Sequence, residues 1–210
     1  MPRLPRRPFR PGRRPGRGRG PDALHTARLD LVPGSAQHLS AELDGPPALA
    51  AALGVRVPAD WPPELYEREA VEFSLVQVTH TPAEDACWLF YYLVLRADQD
   101  GRPTAIGVGG FKGPPEDGEV EVGYSVMPAY RRRGLASEAV EGFLARAFAD
   151  DRVRRVAAET FPELIASVGV LHRCGFRYLG EGSEDGTIRF GIERGTWNEA
   201  RAARAEEGSA

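Results

Sequence analysis

The chain has 210 residues, enough for one domain with a sizeable core, and its hydrophobic (42%) and charged (27%) fractions are ordinary for a globular protein. A formal net charge of −3 argues against a globally basic nucleic-acid binder. Two cysteines cannot build a disulfide framework or a zinc cluster, and no apolar run reaches the ~18 residues of a membrane helix.

Residues 1–21 are almost wholly Arg, Pro and Gly, with Arg3, Arg6, Arg7, Arg10, Arg13, Arg14, Arg17 and Arg19 and no acid. No apolar segment follows, so a secretory signal is not expected. The stretch cannot bury a core and is expected to be a disordered tail. It reads either as a basic arm for RNA or an acidic surface, or as a dispensable extension. Only Phe9 offers a ring for base stacking, and no nucleic-acid partner is expected. A domain is expected over 22–198, and a frayed, Ala-rich end over 199–210. Thr26 to Pro33 alternates and ends at proline, which predicts a first strand. Ala36–Leu43 and Pro47–Leu53 read as short helices separated by Gly45-Pro46-Pro47. A third helix is predicted from Pro58 to about Thr79, with Asp60 as its cap before Pro62 and Pro63.

Cys87 to Leu95 is continuously apolar and aromatic, as in a strand buried on both faces. A turn at Asp98–Arg102 leads to a strand over Pro103–Lys112. Gly107, Gly109, Gly110 and Gly113 invite a dinucleotide-binding reading, but Lys112 stands where the third glycine belongs and no helix follows. After a hairpin turn, Val120, Val122, Tyr124 and Val126 alternate with Glu119, Glu121, Gly123 and Ser125. That period of two is a strand, stopped by Pro128. From Leu135 the apolar spacing changes to three and four, giving a helix with one buried face. The turn between them holds Arg131, Arg132, Arg133 and Gly134. A helix N-terminus offers unpaired N–H groups, glycine allows close approach, and the arginines add charge; together they suit a phosphate or pyrophosphate. The plainer alternative is a strand-turn-helix with a solvated basic corner. A parallel-type strand within Arg152–Thr160, a helix from Pro162 ended by a left-handed Gly175, and a closing hairpin of Phe176–Glu181 with Thr187–Glu193 complete an α+β pattern with a mixed sheet.

Gly123-Tyr124, then Pro128-x-Tyr130-Arg131-x-x-Gly134-x-Ala136-x-Glu138-Ala139, resembles the acyl-CoA-binding motif of the GCN5-related N-acetyltransferase superfamily. It most resembles the ribosomal-protein-alanine-acetyltransferase-like branch, whose usual opening is similar to Thr26-x-Arg28-Leu29-x-Leu31. The resemblance runs from about Thr26 to about Trp197. It implies the acyl-CoA N-acyltransferase fold, α+β with a mixed, mostly antiparallel sheet flanked by helices. It also implies acetyl-CoA as co-substrate, no metal, and transfer to a primary amine of a protein N-terminus or a small molecule, by direct attack in a ternary complex. Val126, Met127, Arg131, Arg132, Arg133, Gly134, Leu135, Ala136 and Ser137 are then the cofactor residues. The helices before Thr79 would cover the acceptor cleft, lined by Trp61, Tyr66 and Phe73 unless these rings simply pack on the sheet. A cytoplasmic monomer or homodimer is expected, with Cys87 and Cys174 as buried free thiols.

Acyl transfer needs a neutral amine. At pH 7, deprotonation costs about 4–5 kcal/mol for lysine and about 1 for an α-amine. Glu121 matches a position that some relatives use as a base; its alternative is a solvated or salt-bridged strand carboxylate. In the second helix, Leu164 stands where the resembled branch has a CoA-contacting Asn, and a Tyr used by other branches falls at Leu171. Ser167 remains as the candidate acid for the leaving thiolate, or as a helix hydroxyl bonded to a carbonyl. His172 lies about 140° round the helix from Ser167, and Cys174 has no base beside it in sequence, so neither is assigned a role. The two leucines also motivate a second reading, a non-catalytic acyl-CoA-binding module.

Overall fold

The computed structural model describes residues 22–207, so the tail expected over 1–21 lies outside the described residues. Strands β1 (Leu24–His25), β2 (Leu29–Pro33), β3 (Phe90–Leu95), β4 (Thr104–Phe111), β5 (Glu119–Val126), β6 (Arg155–Thr160), β7 (Arg177–Glu181) and β8 (Ile188–Glu193) form one sheet. Their order is β1-β2-β3-β4-β5-β6-β8-β7. Neighbours pair antiparallel except β5 with β6, which are parallel. Six helices accompany it: α1 (Ala36–Leu43), α2 (Pro46–Leu53), α3 (Arg68–His80), α4 (Leu135–Ala147), α5 (Ile165–Arg173) and α6 (Arg194–Glu207). The fold is α+β with a mixed, mostly antiparallel sheet, as the element order predicts.

Adjacent residues of β3 show how the layers divide. Tyr91 packs edge-on against Phe143 of α4 at 5.5 Å, while Tyr92 donates to Glu42 of α1. Successive strand side chains point to opposite faces, so α4 and α1 lie on opposite sides of the sheet. Under α4 the core is aromatic: Phe111 meets Trp88 at 5.1 Å and Phe143 at 5.5 Å. The glycines of β4 serve this packing. A Cβ on Gly107 would stand 2.3 Å from the Ser125 carbonyl oxygen, and one on Gly109 would stand 3.0 Å from Phe143.

Four elements differ from the sequence expectation. The third helix begins at Arg68 and not at Pro58. Tandem prolines bias 61 and 62 away from helix, and Leu65 takes φ 62°, outside the right-handed region. Residues 58–67 are therefore a loop, and Asp60 caps nothing. β3 begins at Phe90, because Ala86–Trp88 forms a short 3-10 turn that drives Trp88 into the core. α5 begins at Ile165, three residues after Pro162. The end expected to fray from 199 is helical through Glu207. Trp197 anchors it on Phe148 at 5.2 Å, and Arg204 pairs with Glu141 at 2.9 Å. Gly175, at φ 88°, follows α5 as the left-handed cap glycine expected from sequence.

Candidate active site

β5 and β6 pair only over Glu119–Glu121 against Arg155–Ala157. Beyond Glu121 they splay, and the outward edge of β5 has no strand partner among the described residues. A cavity of about 980 Å³ fills the gap. Its walls are β5 from Val122 to Val126, the end of β6, the first turn of α4 and the inner face of α5. An unpaired strand edge presents N–H and C=O groups that an extended, amide-containing arm can match.

At one end of this cavity stands the N-terminus of α4. Gly134 is its N-cap, at φ 75°, and no side chain caps the helix. Among the described residues, none accepts from the N–H groups of Leu135, Ala136 or Ser137. These amides and the helix dipole make an anion site. Two clamps hold it. Glu138, in the first turn, accepts from Thr26 Oγ1 (2.6 Å), the Arg28 N–H (2.5 Å) and Arg28 Nε (2.6 Å), and Arg28 also donates to the Arg133 carbonyl (3.0 Å). Burial opposes ionisation of Glu138, but the hydrogen bonds outweigh it and its pKa lies below the ordinary value. On the other side Tyr130 donates to Asp98 (2.8 Å) and accepts from Arg56 (3.0 Å).

The expected cofactor residues divide on this geometry. Val126, Arg131, Arg132, Gly134, Leu135, Ala136 and Ser137 line the cavity. Met127 does not: it is buried and its N–H bonds to Ile106. Arg133 lies 5.6 Å over the Tyr130 ring. Arg131 already has partners, since Nε donates to the Val126 carbonyl (2.9 Å) and a terminal nitrogen pairs with Glu64 (2.8 Å). Leu164 lines the cavity too, as an apolar wall.

A second, smaller cavity of about 300 Å³ lies on the α3 side of the sheet. Of the three aromatic residues named from sequence, Tyr66 and Phe73 line it. Trp61 instead donates to Glu42 (2.6 Å) and is buried. The two cavities share Leu65, Lys112, Gly123, Tyr124 and Ser125, so they meet at the middle of β5. Tyr124 is the residue that sequence reasoning missed. Its hydroxyl lies 3.3 Å from Ser167 Oγ and donates to the Ser167 carbonyl at 3.2 Å. Burial pushes its pKa well above that of a free phenol, outweighing the Ser167 hydrogen bond, so it stays a neutral donor. Its place in the Gly-Tyr pair, on a strand that leads into an uncapped helix N-terminus, was the available signal.

Glu121 lines neither cavity. Lys112 Nζ lies 2.5 Å from its Oε1, an ion pair whose angles fall outside a hydrogen bond, and Arg189 lies 3.5 Å from Oε2. Arg189 also holds Glu119 (2.5 Å) and Glu159. Of the two sequence readings, the geometry matches the salt-bridged strand carboxylate. Ser167 does face the cavity, beside Tyr124. His172 is exposed, edge-on to Phe190. Cys174 is buried, its thiol is pushed up to about 12 by burial and then by Glu141, and it donates to the Ser137 carbonyl. A thiol so held is no nucleophile. Among the described residues, no group of three His, Cys, Asp or Glu could hold a metal ion, and no helix is long and apolar enough to cross a membrane.

The acetyltransferase (GNAT) domain family matches residues 39–177, more than half of the chain. Among solved structures, a ribosomal-protein-S5-alanine acetyltransferase from Vibrio fischeri superposes with a TM-score of 0.59 at 16% identity, covering 83% of this chain and 98% of that one. A GNAT-family acetyltransferase from Bacillus anthracis gives 0.55 at 18% identity, covering 82% and 99%. A ribosomal L7/L12 α-N-protein acetyltransferase solved with coenzyme A gives 0.55 at 16%, covering 82% and 98%. At these identities the likeness is one of fold. No protein of curated function matches the sequence.

Proposed function

Because the chain belongs to the GNAT acetyltransferase family, we propose that it transfers the acetyl group of acetyl-CoA to a primary amine by direct attack in a ternary complex. The observation that carries this reading is the meeting of two cavities at Tyr124, one ending at the α4 anion site and one opening beside α3. The α4 amides fit a pyrophosphate, and the unpaired β5 edge fits a pantetheine arm. When bound, acetyl-CoA supplies an activated acyl group and a thiolate leaving group.

The residues at the junction then have separate tasks. Tyr124 turns its one hydroxyl hydrogen from the Ser167 carbonyl to developing negative charge, while Ser167 Oγ, 3.3 Å away, can donate to the phenol oxygen in return. Lys112 lines both cavities where they meet and can orient the entering substrate by hydrogen bonding. Glu121 holds Lys112 there and acts as a positioning residue. An α-amine needs only about 1 kcal/mol to lose its proton at pH 7, so water suffices as acceptor. A protein N-terminus or a small amine of similarly low pKa is the favoured acceptor, in a reducing cytoplasm consistent with two free thiols.

Release of free thiol from acetyl-CoA, screened over peptide N-termini, lysine peptides and small amines, tests the reading. Amine-dependent release is expected. Tight acetyl-CoA binding with no amine-dependent release would make the protein a binding module instead.

A further inference from the structure

We propose that the amine accepted by this protein carries an apolar, ring-sized substituent, seated in the cavity between α3 and β4. This rests on the transfer reading above and names the acceptor class. The wall contributed by α3 is Ala70, Phe73, Ser74 and Gln77, one face of the helix at i, i+3, i+4 and i+7. Tyr66, just before α3, also lines the cavity, and its ring stacks on Phe90 at 5.6 Å and 21°.

The pocket is preformed. The buried carboxylate of Glu42 accepts from Trp61 (2.6 Å), Tyr92 (2.6 Å) and Tyr66 (3.3 Å), which fixes the 58–67 loop and the Tyr66 ring. A volume of about 300 Å³ exceeds the ~150 Å³ that accommodates benzene, leaving room for a ring and a short spacer to reach Tyr124.

Charge decides against the other acceptors. No carboxylate lines this cavity, and its one cationic side chain is Lys112. Glu121 already pairs with Lys112, so a polyamine or polycationic antibiotic would bring further ammonium groups into a largely apolar space with no lining carboxylate to receive them, which is unfavourable. At the mouth, Phe73 is 65% and Leu65 72% exposed. Large apolar side chains left in solvent beside a pocket match an apolar ligand that covers them. The substituent has two sources, a free arylalkylamine or the first side chain of a peptide with a large apolar N-terminal residue.

The test compares kcat/KM for phenethylamine, a peptide beginning with Phe, a peptide beginning with Asp, and spermidine. The first two should exceed the last two by roughly tenfold or more, the usual discrimination of an apolar pocket. Whichever of the first two wins identifies the source. Phe73→Glu, at an exposed position, should erase the preference while acetyl-CoA affinity stays unchanged. Binding of the product N-phenethylacetamide to the protein–CoA complex provides a readout independent of turnover, and Phe73→Glu should weaken it at least several-fold. Equal or better use of spermidine or the Asp peptide, or product binding indifferent to Phe73→Glu, would overturn the inference. If no amine is acetylated, the transfer reading fails, and product binding still decides whether the pocket takes an apolar ring.

Discussion

The two sides of the junction are built from different materials. The α4 side is mostly backbone: an uncapped helix N-terminus, a left-handed Gly134 and a free strand edge. It is clamped from both flanks by Glu138 with Arg28 and by Asp98 with Tyr130. The α3 side is mostly side chains from separate segments, with Phe73 and Leu65 left in solvent. A backbone site recognises a fixed group and is disturbed where a new side chain intrudes on the amides, as it would at Gly134. A side-chain pocket can change its ligand without disturbing the fold. On the transfer reading proposed above, the donor is the general feature of this protein and the acceptor the particular one.

Substitutions on each side should separate accordingly. The largest effect is expected from Gly134→Asp, which puts a carboxylate at the α4 N-terminus. Like charges brought together cost several kcal/mol, so acetyl-CoA affinity should fall at least about a hundredfold by calorimetry, with the fold intact by circular dichroism. Next comes Tyr124→Phe at the junction. Losing one donor to developing charge should lower kcat by about 10², with acetyl-CoA affinity unchanged. An equal loss in binding and turnover would place Tyr124 on the donor side only. Glu42→Ala, behind the acceptor wall, leaves Trp61 Nε1 and the Tyr92 hydroxyl without their acceptor. It should cost about 1–3 kcal/mol in denaturant unfolding and raise the acceptor KM while sparing the affinity for acetyl-CoA.

That division also explains what could be read in the sequence. The alternation of Val120, Val122, Tyr124 and Val126 and the Arg131-x-x-Gly134-x-Ala136 spacing are local patterns, and they locate the strand, the helix start and the anion site. The acceptor side depends on distant partners. Glu42 meets Trp61, Tyr66 and Tyr92 only in the fold, and Glu121 meets Arg189 from the far hairpin. A carboxylate two positions before Gly123 therefore looks free in sequence and is paired in space. The 58–67 loop reads as helix because its prolines and acids resemble a helix start, and the positive φ of Leu65 has no sequence signal. α6 reads as a frayed end because its holds on the domain, Trp197 against Phe148 and Arg204 with Glu141, are to residues distant in sequence.

Smaller effects sharpen the same contrast. Glu121→Gln should reduce turnover less than about tenfold if it positions Lys112, whereas loss of a general base would cost about 10²–10⁴. A pH–rate profile of the mutant distinguishes the two, because a lost base recovers as pH approaches the pKa of the amine. Glu138 gives a linkage prediction. Its folded pKa is depressed below the ordinary 4.5, so the stability it contributes is present above that value and is lost as pH falls through the folded pKa. Melting temperature should decline over that acid window, and Glu138→Gln should flatten the decline.

The central claim is that donor and acceptor are held together at Tyr124, and initial-rate kinetics over a matrix of acetyl-CoA and amine concentrations test it most directly. A ternary complex predicts double-reciprocal lines that intersect. Parallel lines, with an acetylated protein isolated in the absence of amine, would contradict it.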